Sequence, residues 1–213
     1  RAGYLMTTGT HNTLVGGLAG DSMTTAVHNV AIGYNAMTAV TEGNTNIAIG
    51  RDALATNTVG DRNVAIGHEA LMTMNPTGDS DNYNVAVGYN AGKAVTTGAQ
   101  NTILGGLAGD ALTTGSENIM IGYNAGTATT IANNNVAIGI GALATNVAAD
   151  RNVAIGTQAL NAMTLATTAD HFNVAVGNKA GFAVTSGVNN TLLGASAGDA
   201  LTTGDNNIII GKD

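Results

Sequence analysis

The chain has no cysteine, no tryptophan and a single proline, and its aromatic content is 3% over 213 residues. Without cysteine there is no disulfide and no thiolate metal site, and the compartment is left open. With one proline, the turns fall to other residues, and 30 glycines are there to make them. Few aromatics, with Ala, Val and Ile dominating the apolar set, suit an interior one side chain deep and not a thick globular core. Charge is scarce too: charged residues are 10% of the chain and the formal net charge is −7. No Lys/Arg-rich face can form for phosphates, which argues against nucleic acid as a partner. No apolar run reaches the roughly 18 residues needed to span a bilayer, so no membrane insertion is expected of this segment. No signal-peptide pattern opens the chain, which begins at Arg1.

What the chain does have is repetition. The stretch "NVAIGYNAMTAVTEGNTNIAIGRDALATNTVGDRNVAIGHEAL" (29–71) says nearly the same thing three times. The pattern Asn-x-x-x-Gly-x-x-Ala starts at Asn12, Asn29, Asn46, Asn63, Asn84, Asn101, Asn118, Asn135, Asn152, Asn173 and Asn190, and a truncated copy starts at Asn207. With Asn as position 1, the unit is 17 residues, or 21 at every fifth step. Asn12, Asn101 and Asn190 open the same variant, "NTLVGGLAGD", "NTILGGLAGD" and "NTLLGASAGD", which defines an 89-residue super-repeat. The chain is thus one repeat domain, 1–213, made of super-repeats 12–100 and 101–189 with partial copies at 1–11 and 190–213. Both ends fall in mid-unit and neither carries a polar cap, so the segment is expected to be a window of a longer fibre.

The unit reads as a coil. Position 2 is always Val, Ile or Thr, position 4 always Val, Ile or Leu, and position 5 always Gly. Alternating branched residues before a glycine predict a short strand and a tight turn, and this many glycines exclude helix. Position 8 is Ala wherever the unit reaches it, which predicts a place with room for one methyl. Each unit is read as two short strands and two corners, and a lone unit cannot bury its apolar face, so units must stack. At the β spacing of roughly 4.8 Å, about twelve coils make a solenoid about 58 Å long. Asn at one fixed corner is expected to stack into an amide ladder and to take up the left-handed backbone there.

Position 3 is read as the outer face. Positions 2 and 4 are expected to point into the coil. The uncharged row Leu14, Ala31, Ala48, Ala65, Ala86, Ile103, Met120, Ala137, Ala154, Ala175, Leu192 and Ile209 is then left to be covered by another chain, which points to a homotrimer. The units resemble the head repeats of trimeric autotransporter adhesins, the YadA-like head: "NVAIG" at Asn29, Asn63, Asn135 and Asn152 fits that family's motif. The "NTLVGGLAG" and "TTG" variants are similar to repeats of phage tail fibres that end in an intramolecular chaperone. The first resemblance implies a left-handed parallel β-roll in a trimer. Both imply an extracellular fibre on a cell surface or virion, and the partner class they imply is a host-surface glycan or protein receptor.

No chemistry is legible. His11, His28, His68 and His171 are read as solvated loop residues without ligand spacing, and no acidic pair is seen to recur at equivalent places with a plausible pocket. "NPTGDSDNY" (75–83) offers Asp79 and Asp81 to a calcium ion, against the plainer reading of a protruding solvated loop. The four extra residues of each longer unit fall within 71–83 and 160–172 and are expected to bulge at one corner. Threonine recurs at position 13, from Thr7 to Thr202, which raises ice binding; a turn hydroxyl bonded to backbone explains a single row better. No catalytic, cofactor or metal residue is assigned. The function expected is a non-catalytic structural or adhesive segment of an extracellular trimeric fibre, with a self-assembling filament lacking a receptor role, and an ice-binding solenoid, as alternatives.

Overall fold

The computed structural model describes residues 1–78, 80–164 and 168–212. Twelve three-residue strands, from Thr13–Val15 to Ile208–Ile210, form one parallel sheet in chain order. The chain is an all-β parallel solenoid of about eleven turns, with no helix among the described residues. Equivalent residues of successive units pair directly: Val30 with Ile47, Ala31 with Ala48, Ile32 with Ile49. The longer units keep this register, Val64 pairing with Val85 and Val153 with Val174. Each strand ends at the position-5 glycine. These twelve glycines, Gly16 to Gly211, have φ between 126° and 143°. A Cβ on Gly16 or Gly105 would sit 2.6 Å from the carbonyl oxygen of the next coil's glycine, so torsion and neighbour both exclude a side chain.

The parity of the strand is opposite to the sequence expectation. Position 3 points inward: Ala31, Ala48, Ala65, Ala86, Ile103, Ala137, Ala154, Ala175 and Leu192 are all 0% exposed. Positions 2 and 4 point outward and are half-buried to exposed, Ile119 in mid-stack being 38% exposed. The reason is the asparagine. Positions 1 and 3 share a face of the strand, and the ladder amides are buried, so position 3 must be inside as well. The position-8 alanines face the same interior and are buried throughout, as their invariance predicted.

Volume in this thin core is traded between positions 3 and 9. Where position 3 is large, position 9 is Gly: Leu14 with Gly20, Ile103 with Gly109, Met120 with Gly126, Leu192 with Gly198. Where position 3 is Ala, position 9 is commonly Leu or Met, as in Ala65 with Leu71. A Cβ on Gly20 would lie 2.9 Å from Leu14 Cδ2, and one on Gly126 2.7 Å from Met120 Sδ. Ala86 with Gly92 breaks the rule within its coil, and there the adjacent coils fill the space: a Cβ on Gly92 would meet Ile103 Cδ1 at 2.9 Å and Leu71 Cδ2 at 3.1 Å.

The amide ladder is continuous. Asn29 Nδ2 donates to Asn12 Oδ1 at 3.1 Å and to the Gly43 carbonyl at 2.9 Å, and the Asn29 backbone N–H donates to the same Asn12 Oδ1 at 2.9 Å. The pattern runs to Asn207 on Asn190. The left-handed residue is not the ladder Asn but the one before it: His28, Thr45 and Arg62 have φ of 57° to 60°. A second ladder runs beside the first through position 16, where the Val27, Asn44, Ser116 and Asn133 N–H groups donate to Asn44, Asp61, Asn133 and Asp150 side chains.

The far side of the coil was expected to be a second strand and is a run of turns. Positions 7 and 9 are left-handed, as at Asn35 (57°) and Met37 (52°), so N–H groups point alternately up and down the axis. Asn35 N–H bonds back to the Gly17 carbonyl, and Met37 N–H bonds forward to the Ala53 carbonyl. The coils stay hydrogen-bonded without β geometry.

Candidate interaction face

The outward rows at positions 2 and 4 run the length of the sheet, from Thr13 and Val15 to Ile208 and Ile210. Every one of these side chains is Val, Ile, Leu or Thr, and none is charged or amide-bearing. Strand pairing stacks them at roughly 4.8 Å intervals. Allowing about 10 Å for the width of the two rows, the strip presents on the order of 600 Å², at or above the largest apolar patch a typical monomer exposes.

Two rims border the strip. Position 6 carries exposed rings at Tyr34, Tyr89 and Tyr123, with Arg51 and His68 between. The residue before each ladder Asn forms the other rim, where His11 and His28 stack with centroids 4.9 Å apart. His68 stacks on Tyr89 at 5.5 Å. His171, expected in solvent, is buried, its Nδ1 2.7 Å from the Ala169 carbonyl oxygen.

The longer units depart from the smooth surface at one place. Thr77 and Gly78 are exposed, and a Cβ on Gly78 would meet nothing within 4 Å; Thr164 and Thr168 are exposed at the equivalent place. Below each insertion a two-residue strand rejoins the previous coil, Ser80–Asp81 on Gly60–Asp61 and Ala169–Asp170 on Ala149–Asp150. An acidic pair therefore does recur, Asp61 beside Asp81 and Asp150 beside Asp170. Sequence reading missed it because the partners lie 20 residues apart across the long unit. Arg62 pairs with Asp81 and Arg151 with Asp170. The Arg62 guanidinium lies 5.6 Å from the Tyr83 ring centre and that of Arg151 5.7 Å from Phe172. The arrangement clamps the inserted loop to the coil beneath. Of the two calcium candidates, Asp81 is in this clamp and Asp79 lies outside the described residues.

One further cluster was not legible in the sequence: ligand atoms of Asp52, His68 and Glu69 lie within 4.8 Å of one another. Its carboxylates are already paired, Asp52 with Arg51 at 2.9 Å and Glu69 with Lys93 at 2.6 Å. The hydrogen bond it donates to Glu69 holds the Lys93 ammonium above its ordinary pKa. The position-13 threonines bond to the next coil, as the turn reading predicted: Thr7, Thr24, Thr96 and Thr113 Oγ1 donate to the carbonyls of Thr24, Thr41, Thr113 and Thr130 at 2.9–3.2 Å. Among the described residues no helix is long and apolar enough to cross a membrane. No family model, no curated protein and no solved structure matches the chain.

Proposed function

We propose that the chain is a non-catalytic structural or adhesive segment of an extracellular trimeric fibre, built from coils of 17 and 21 residues and similar to YadA-like heads and phage tail-fibre repeats. The observation that carries this reading is the uncharged strip at positions 2 and 4. It lies on a coil whose interior is already full, so the strip is surplus to the fold of one chain. Three identical strips meeting around an axis cover one another and leave no open patch, and closed symmetry is the usual arrangement of identical chains. The rigid stack of coils then serves as a spacer, and the loops at the longer units are the places where a host-surface glycan or protein would meet the shaft. A filament with no receptor role uses the same strip. The Thr hydroxyls that ice binding would recruit are instead bonded to backbone.

The strip is tested by mass in solution. Wild-type chain is expected at three times the monomer mass. Ile66→Arg with Ile155→Arg places two charges on the strip, leaves the interior intact, and is expected to give folded monomers. Ala65→Arg puts its charge in the core and is expected to unfold the coil. A folded wild-type monomer would overturn the reading.

A further inference from the structure

Resting on the reading of the strip as a contact between copies of this chain, we infer that Thr13, Thr102 and Thr191 fix the axial register of those copies. Of the twenty-four side chains at positions 2 and 4, these three alone carry a polar atom, and they fall at 89-residue intervals, five coils apart. They lie on the outward face of their strands. Among the described residues their hydroxyls have no hydrogen-bond partner within the chain, unlike those of position-13 threonines such as Thr7 and Thr96.

The position-6 rim changes on the same coils. Position 6 is Gly17, Gly106 and Ala195 there, in a row that elsewhere holds larger side chains such as Tyr34, Arg51, His68 and Ile140. The ring of the following coil leans over the gap: a Cβ on Gly17 would lie 3.3 Å from Tyr34 Cδ2, and one on Gly106 3.6 Å from Tyr123 Cδ2. The other rim, the residue before each ladder Asn, does not distinguish these coils: His11, Gln100 and Asn189 are polar there, as are the residues of most other coils. Every fifth coil therefore sets one hydroxyl into an otherwise apolar strip, beside a gap in the position-6 row.

A hydroxyl donates and accepts, so threonines from neighbouring copies satisfy one another when the copies are level. A slip of one coil sets each hydroxyl against Val or Ile, where it loses water and gains no partner. A lone polar position in an apolar seam sets register in this way in helical assemblies too. The next register that sets threonine against threonine is five coils away, about 24 Å, and within this chain it matches two of the three threonines.

The chain has no cysteine, so single cysteines report register directly. Chains bearing Ile121→Cys are co-assembled with chains bearing Ile155→Cys, two coils away on the same row, and oxidised. With threonines present, 121–121 and 155–155 links dominate. With Thr13, Thr102 and Thr191 all changed to Val, the assembly keeps its mass and the 121–155 link rises several-fold at the expense of the level links. The single Thr102→Val chain gives an intermediate yield. An assembled triple variant with the wild-type link pattern overturns this inference and leaves the fibre reading standing. A wild-type chain that is monomeric and unlinked overturns both.

Discussion

At residue scale the molecule is governed by which side of a three-residue strand a side chain occupies. The repeat, the corner glycine and the asparagine ladder were all legible in the sequence, because each is an invariant with one physical reading. The parity was not. Positions 2 to 4 are apolar except for Thr13, Thr102 and Thr191, so hydrophobicity alone leaves inside and outside undecided. The information was present in two other places. Asn shares a face with position 3, and position 9 shrinks to Gly where position 3 grows, as Leu14 with Gly20 and Met120 with Gly126 show. Shared space makes a double-mutant prediction. Ala65→Leu overfills the coil against Leu71 and is expected to cost about 1–3 kcal/mol. Leu71→Gly empties the site at a cost of about 2–4 kcal/mol, less roughly 1 kcal/mol for relieving a left-handed leucine whose φ is 47°. The double variant is expected to cost less than the sum by about 1–2 kcal/mol. Urea unfolding of the four chains decides it, and strictly additive costs would show that the two side chains do not share a space.

At the scale of the element, the coil is held by ladders as much as by its strand. The far side carries no β geometry, because residues with φ near +55° alternate with right-handed ones. Sequence reading gave that side a strand since nothing in residues such as Asp52, Leu54, Glu69 or Leu71 announces a left-handed backbone. What compensates is side-chain bonding between coils. Asn118 shows the scale of it: its Nδ2 donates to Asn101 Oδ1, to the Ser116 carbonyl and to the Ala132 carbonyl at 2.9–3.1 Å, and its Oδ1 accepts the Asn135 N–H at 3.0 Å. Asn118→Ala leaves several of these groups buried without partners, at about 1–3 kcal/mol each. A loss of roughly 3 kcal/mol or more is expected. Asn44, half-buried in the second ladder and bonded through its side chain to the Val27 N–H at 2.8 Å, is expected to cost about 1 kcal/mol on the same change. Denaturant midpoints for the two variants compare the positions, and equal losses would mean that the ladder is decoration on a stack held by its strands.

At the scale of the whole molecule, the repeat made the solenoid legible, while the outward apolar strip had to wait for the parity of the strand. The fold's inter-coil bonds have one further consequence, which is mechanical. The chain runs around the axis and the bonds run along it, from Asn29 to Asn12 and from Thr24 to Thr41. Tension applied along the axis therefore loads successive layers in series, and the weakest layer sets the breaking force for all. Once a layer opens, the released coil pays out as extended chain, at about 3.4 Å per residue against the roughly 4.8 Å it occupied in the stack. Ladder partners stand 17 residues apart in most layers and 21 in those spanning the longer units, as between Asn63 and Asn84. Pulling a single chain in an optical trap is expected to give a staircase with steps of about 53 Å, punctuated by steps of about 67 Å. A single rupture without steps would show that the layers fail together. A stack of this kind is a tether that yields by measured lengths, with the 89-residue super-repeat written into its extension.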